Sequence, residues 1–265
     1  MAAPEIPGLA WLAPPRALAL PDRAAHVWQV DLAAAEDALP RLASLLSADE
    51  QARAARFHLA QDGCRYTLAR GALRLLLAGY TGRPAAALRF GYEKFGKPFL
   101  LPAAGSCAVP LAFNVSHSHE VALLAFGRGR IGVDVEHVRP ELAAGRIAER
   151  FFSPREAAAL RELPSAEQPA AFFRCWTRKE AFVKARGEGL ALPLRSFDVS
   201  LAPDEPAALL RVADDPAEAA RWTLRTITPA LPGYLAALAV EGRVVLSCYR
   251  VAGPAALFEL ARGGC

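Results

Sequence analysis

The chain has no paired cysteines, no long apolar run and no strong charge of either sign. Its five cysteines, Cys64, Cys107, Cys175, Cys248 and Cys265, include no C-x-x-C pair, and their number is odd. That speaks against a zinc knuckle or a disulfide framework and for reduced thiols in a cytoplasmic protein. No segment approaches the roughly 18 consecutive apolar residues that span a bilayer. The first residues lack the basic start and unbroken apolar stretch of a secretory signal, because Pro4, Pro7, Pro14, Pro15 and Pro21 interrupt them. A net charge of +4 favours an anionic ligand or partner but makes no case for nucleic acid. An ordinary soluble protein with spare arginines carries the same charge. The expectation is a soluble protein that meets neither membrane nor nucleic acid.

The 265 residues, 53% hydrophobic and 22% charged, suffice for a packed core in one large domain or two small lobes. Residues 1–25 are rich in Pro and Ala and read as a surface extension. A first strand is expected at His26–Asp31. Ser47 with Glu50 forms a capping-box pattern, so a helix starts near Ala48 and carries Arg53 and Arg56. Asp62 reads as the cap of a second helix that ends at Thr81-Gly82-Arg83-Pro84. Short strands follow at Leu88–Tyr92, Leu111–Val115, Val121–Phe126 and Ile131–Glu136, with Gly127-Arg128-Gly129-Arg130 as a hairpin loop between the last two. Residues 146–163 are helical, with a fresh start at Ser153-Pro154-Arg155-Glu156, and Phe172–Arg186 is a helix closed by Gly187 and Gly189. Leu190–Val199, Trp222–Ile227, Tyr234–Val240 and Val244–Val251 read as β-rich. Helices and strands mix without strict alternation, which is an α+β pattern.

Within the strand Ile131–Glu136, side chains alternate, so Asp134 and Glu136 share one face roughly 7 Å apart. Such a pair suits a hard cation such as Mg²⁺, and it equally suits the wet face of an amphipathic strand. On the helix Phe172–Arg186, Glu180 projects into an apolar stripe of Phe172, Phe173, Trp176 and Val183. A carboxylate there is costly unless paired or bound to metal. Lys184 lies one turn on, and a simple Glu-to-Lys helix pair is the plain alternative. Asp134, Glu136 and Glu180 together offer only oxygen, which favours magnesium over zinc and phosphoryl chemistry over other uses. Phe113–His119 ends a strand in a polar turn where Ser116 and His117 have the chemistry to meet phosphate, or to cap a loop. Lys97, on the turn Gly96-Lys97-Pro98, reads alone as a solvated loop lysine. Arg53, Arg56, Arg65 and Arg70 read as a solvated face or as bidentate phosphate contacts. Glu156 is best explained as the capping partner of Ser153.

These segments together resemble the larger, surfactin-synthetase type of phosphopantetheinyl transferase. The matching pieces stand in family order: Arg65 on an early basic helix, GKP at 96–98, FNVSHS at 113–118, IGVDVE at 131–136, FFSPRE at 151–156 and WTRKEAFVKARGEGL at 176–190. The resemblance implies two similar α+β lobes related by a pseudo-twofold axis and joined near 127–131. After an extension at 1–25, the lobes would span 26–128 and 129–265, with coenzyme A between them. It implies that Asp134, Glu136 and Glu180 bind Mg²⁺ on the pyrophosphate and that Lys184 contacts phosphate. Lys97, Ser116, His117 and Arg65 would hold the nucleotide, and Arg53 occupies a basic position of the family. Glu50 falls where some relatives carry lysine, and the extension before His26 has no counterpart. The implied reaction transfers phosphopantetheine from coenzyme A to a serine of an acyl or peptidyl carrier protein, with a monomer sufficient to form the site. Two rivals use the same residues: a magnesium-dependent phosphodiesterase or nucleotide hydrolase, and a non-catalytic carrier-binding or nucleotide-binding module.

Overall fold

The computed structural model describes residues 10–33, 36–103, 111–142, 144–213 and 215–262. The first half runs β1 (Trp11–Leu12), β2 (Ala24–Asp31), α1 (Leu39–Ala43), α2 (Ala48–Ala54), α3 (Ala60–Thr81), β3 (Phe90–Tyr92), β4 (Pro98–Leu100), β5 (Ala112–Ser118) and β6 (Val121–Gly127). The second half runs β7 (Ile131–His137), α4 (Ala144–Phe151), α5 (Pro154–Glu162), α6 (Gln168–Arg186), β8 (Phe197–Val199), β9 (Leu209–Val212), β10 (Trp222–Ile227), β11 (Tyr234–Glu241), β12 (Val245–Val251) and α7 (Leu257–Arg262). A five-stranded sheet has the order β1-β12-β2-β6-β5, and a three-stranded sheet has the order β10-β11-β7. The fold is α+β.

Alternation along β2 and β7 stacks these layers. Trp28 and Val30 pack with Leu73 and Leu76 of α3, while Ala25 and Val27 turn the other way. There they join Ile131, Val133 and Val135 of β7 in one apolar core shared by the two sheets. The even-numbered face of β7 is left for α6, whose Phe172, Phe173 and Phe182 close a third core with Phe197, Leu224 and Ala237. Helix ends follow local chemistry. Gly82 at φ +66° and Gly187 at φ +73° stop α3 and α6 in left-handed backbone, and Ser153, Pro154 and Glu156 start α5 with a capping box.

Several expectations are corrected. Gly127–Arg130 is not a hairpin loop: both edges of β6 are already paired, with β2 and with β5, so the chain crosses to the other sheet, where β7 pairs with β11. A single cut at 128/129 does not describe the halves either. β12 inserts between β1 and β2, and α7 packs in the core of α3, so the end of the chain completes the first sheet. Part of the N-terminal extension is an edge strand, with Trp11 and Leu12 opposite Cys248 and Tyr249; residues 1–9 lie outside the described residues. Asp62 sits in the first turn of α3, beyond the cap position held by Leu59. Of Leu190–Val199, only Phe197–Val199 is strand. Among the described residues, no helix is long and apolar enough to cross a membrane.

Glu50 ties α2 to α3. It is 1% exposed and accepts from the Ser47 amide at 2.9 Å, from Arg74 Nε at 2.7 Å and from Arg70 Nε. Burial pushes its carboxyl up, but the Arg74 hydrogen bond, the Arg70 charge and the Ser47 amide outweigh that and hold it below the ordinary value. Its stabilising contribution is therefore complete above the unfolded-state pKa of about 4.3 and is lost as pH falls through the lower folded value. Glu50→Gln leaves Arg74 buried without its counter-charge and is expected to cost about 3 kcal/mol. Urea unfolding from pH 3 to 7 should show that loss at neutral pH and a flatter acid limb; an unchanged profile would reduce Glu50 to a helix cap.

Candidate active site

The site is built where α6 crosses β7, and Gly132 sets how closely they approach. A Cβ at Gly132 would strike the Ala181 carbonyl and the Ala185 amide, so only a strand residue without a side chain admits the helix at this depth. The approach brings Lys184 onto Asp134, two residues along the same strand face. Lys184 Nζ donates to Asp134 Oδ1 at 2.6 Å and to Ser116 Oγ at 3.0 Å. Ser116 Oγ donates in turn to the same Asp134 oxygen at 2.8 Å. Asp134 is 4% exposed, and its second oxygen, Oδ2, is buried with no hydrogen-bond partner.

Glu136 and Glu180 face this buried charge. Burial and then the Asp134 charge push the Glu136 carboxyl above its ordinary value, against the opposing pull of Ser118, Lys184 and Arg139. The same two causes, in the same order, raise Glu180, with Lys184 opposing. Three carboxylates thus share one locality with a single ammonium set directly among them. Among the described residues, no cluster of three His, Cys, Asp or Glu side chains is closed tightly enough to hold a metal ion. The chemistry of the donors nevertheless fits a hard divalent cation: all are oxygens, one is an orphaned buried atom, and two are carboxyls whose ionisation a cation would favour.

The remaining expected residues divide. His117 presents its ring at the surface, yet partial desolvation, then the charges of Lys184 and Arg65, lower its pKa, with Asp62 opposing. His117 therefore lies within electrostatic reach of Lys184, Arg65 and Asp62. Arg65 is itself tied to Asp62 at 3.4 Å. Arg53 is exposed and lies over the Tyr66 ring at 5.4 Å. Lys97 is held at the start of β7, where Nζ donates to Ile131 O at 3.1 Å and Ala185 O at 3.0 Å. Those carbonyls belong to β7 and to the last turn of α6, so Lys97 pins together the two elements that carry the carboxylates.

The motif WTRKEAFVK divides between two faces of α6. Lys179 is fully buried, paired with Glu156 at 2.8 Å and donating to Leu194 O and Phe197 O, while Glu180 and Lys184 lie toward Asp134. Glu156, already capping Ser153, also accepts from the Val199 amide at 2.7 Å, which is a structural role. Two residues that sequence reasoning passed over, Asn114 and Ser118, touch β7 directly. Their period-two spacing with Ser116 was the available signal.

An oxygen-only acid cluster with a lysine set into it has the chemistry to handle phosphoryl groups. Two family descriptions match the chain: "4'-phosphopantetheinyl transferase, N-terminal" over residues 32–127 and "4'-phosphopantetheinyl transferase superfamily" over residues 130–239. A 4'-phosphopantetheinyl transferase of a Nostoc species, HetI, is 40% identical over 233 residues, covering 88% of this chain and 94% of its own length. Sfp of Bacillus subtilis is 34% identical over 166 residues, 62% of this chain and 70% of its own. AcpT of Salmonella typhimurium is 42% identical over 119 residues, 44% and 57% respectively. The chain belongs to the 4'-phosphopantetheinyl transferase superfamily and is a transferase.

Gly132→Ala should overpack the β7–α6 contact at a cost of about 1–3 kcal/mol and weaken coenzyme A binding by displacing Lys184. Thermal unfolding with calorimetric titration of coenzyme A checks both; wild-type values in each would mean that Gly132 does not set the helix position.

Proposed function

We propose that this chain transfers the 4′-phosphopantetheine group of coenzyme A to a serine hydroxyl of an apo carrier protein, acyl or peptidyl, with Mg²⁺ as cofactor. The observation that carries the reading is the Asp134 cluster: an orphaned buried carboxylate oxygen, two neighbouring carboxyls raised by burial and then by its charge, and Lys184 within hydrogen-bond reach. Asp134, Glu136 and Glu180 would hold the magnesium ion. That ion would supply positive charge to the pyrophosphate of coenzyme A.

The rest of the chemistry belongs to the chain. Lys184 would offset charge on the pyrophosphate oxygens. The carrier serine oxygen bonds to the β-phosphorus, and the bond from that phosphorus to the bridging oxygen breaks. Adenosine 3′,5′-bisphosphate leaves with the electron pair. Glu180 would take the serine proton as general base. His117, Arg65 and Arg53 line a basic approach suited to the nucleotide phosphates, whereas the Lys97 ammonium is occupied by main-chain carbonyls. Ser116, already bonded to Asp134 and Lys184, acts at the edge of the pyrophosphate site.

The two halves stand as lobes about this cleft, the first completed by β12 and α7, with a pseudo-twofold relation as part of the reading. One chain supplies every residue named, so a monomer suffices. Cys64, Cys175 and Cys248 are free thiols, in keeping with a cytoplasmic setting.

Intact mass of apo acyl and peptidyl carrier proteins, after incubation with this protein, coenzyme A and Mg²⁺, tests the reaction. A phosphopantetheine mass gain that EDTA abolishes is expected. Glu180→Gln should lower the rate at least about 100-fold without lowering stability, because the raised carboxyl does not favour the fold in its ionised form. Coenzyme A cleavage without any carrier gain would instead mark a phosphodiesterase.

A further inference from the structure

β5 and β7 lie side by side as edge strands of different sheets and share no backbone ladder. Along this seam, side chains take the place of the missing carbonyls. Asn114 Oδ1 accepts from the Val133 amide at 2.9 Å, Ser116 Oγ from Val135 at 3.3 Å and Ser118 Oγ from His137 at 3.1 Å. Each pair is separated by 19 residues, so the strands run parallel in a fixed register. The period of two keeps all three side chains on one face, and each captures an amide that would otherwise be unsatisfied.

The register directs the hydroxyl protons. A serine hydroxyl carries one proton and two lone pairs. With a lone pair committed to the β7 amide, its proton is free to turn toward the carboxylate one residue earlier on that strand. Ser116 donates to Asp134 Oδ1 at 2.8 Å, and Ser118 donates to Glu136 Oε2 at 3.1 Å. Ser116 also receives Lys184 Nζ, so its role merges with the cluster. Ser118 has a simpler position: one amide anchors it, and one carboxylate receives its proton.

We infer that Ser118 is a positioning residue for Glu136, aiming that carboxylate into the Asp134 cluster, so that part of the affinity for a divalent cation resides in β5 rather than in the acids themselves. The inference rests on the magnesium reading above. Hydrogen bonds that orient metal-binding carboxylates set affinity as well as geometry. Glu136 needs this more than Asp134 does, since its side chain is longer and the neighbouring negative charge pushes it outward.

Mg²⁺ titrated calorimetrically into the protein with coenzyme A, and with no carrier present, reads the effect without turnover. Ser118→Ala should weaken Mg²⁺ about tenfold and also lower the thermal midpoint, because the His137 amide loses its acceptor, while Ser118→Thr, which keeps both hydrogen bonds, should match the wild type in both. Wild-type affinity in Ser118→Ala overturns the inference. If Ser118→Ala does not fold, Ser118→Cys against Ser118→Thr decides: weakening by cysteine alone supports the role, and equal affinities overturn it. A wild-type protein that binds no Mg²⁺ sinks the magnesium reading itself, and the inference falls with it.

Discussion

The site depends on one buried charge. Asp134 sits on an edge strand beneath a helix, with one oxygen held by Ser116 and Lys184 and the other left without a partner. A buried carboxylate is tolerated only when positive charge and hydrogen bonds surround it, and the architecture is arranged to supply both. Gly132 lets α6 close in, Lys184 delivers the ammonium, and β5 delivers the hydroxyl. Burial, and then the same charge, raises Glu136 and Glu180, so the cluster is under electrostatic tension that a phosphoryl-bound divalent cation would relieve. Catalysis by preorganised charge has this form: the cost of assembling the charges is met by the fold before substrate arrives.

The neighbouring ion pairs show how a similar residue serves a different end when its environment is closed. Lys179 and Glu156 are buried, matched and hydrogen-bonded to main-chain groups on every side, and they lock α5, α6 and β8 together. Glu50 does the same for α2 and α3 through Arg70 and Arg74. Each pair is satisfied within the protein and leaves nothing for a ligand. Asp134 differs in having an oxygen to spare beside two other acids.

Much of this was legible in the sequence where the cause is local. The capping boxes at Ser47 and Ser153, the glycine stops of α3 and α6, and the alternation that puts Asp134 and Glu136 on one face all follow from neighbours a few residues apart. The grouping of Asp134, Glu136 and Glu180 was implied by the resemblance, whereas the pairing of Lys184 with Asp134 was not foreseen and follows from the close β7–α6 approach at Gly132. What stayed hidden is non-local. Pairing of β6 with β2, about 90–100 residues earlier in the chain, fills its second edge and removes the expected hairpin, and no local pattern assigns β12 to the first sheet. Lys97 reads as a loop lysine because its acceptors, Ile131 O and Ala185 O, lie 34 and 88 residues on. Ser118 was passed over because a hydroxyl carries no signal until the opposing strand is known.

The central claim, that the Asp134 cluster is a divalent-cation site, is tested most directly by anomalous scattering from crystals grown with coenzyme A and Mn²⁺ in place of Mg²⁺. The account predicts one strong peak bounded by Asp134 Oδ2, Glu136 and Glu180, against the pyrophosphate and beside Lys184. A cation bound elsewhere on the coenzyme A, or a Lys184 ammonium still holding Asp134 with no metal between the acids, would contradict it.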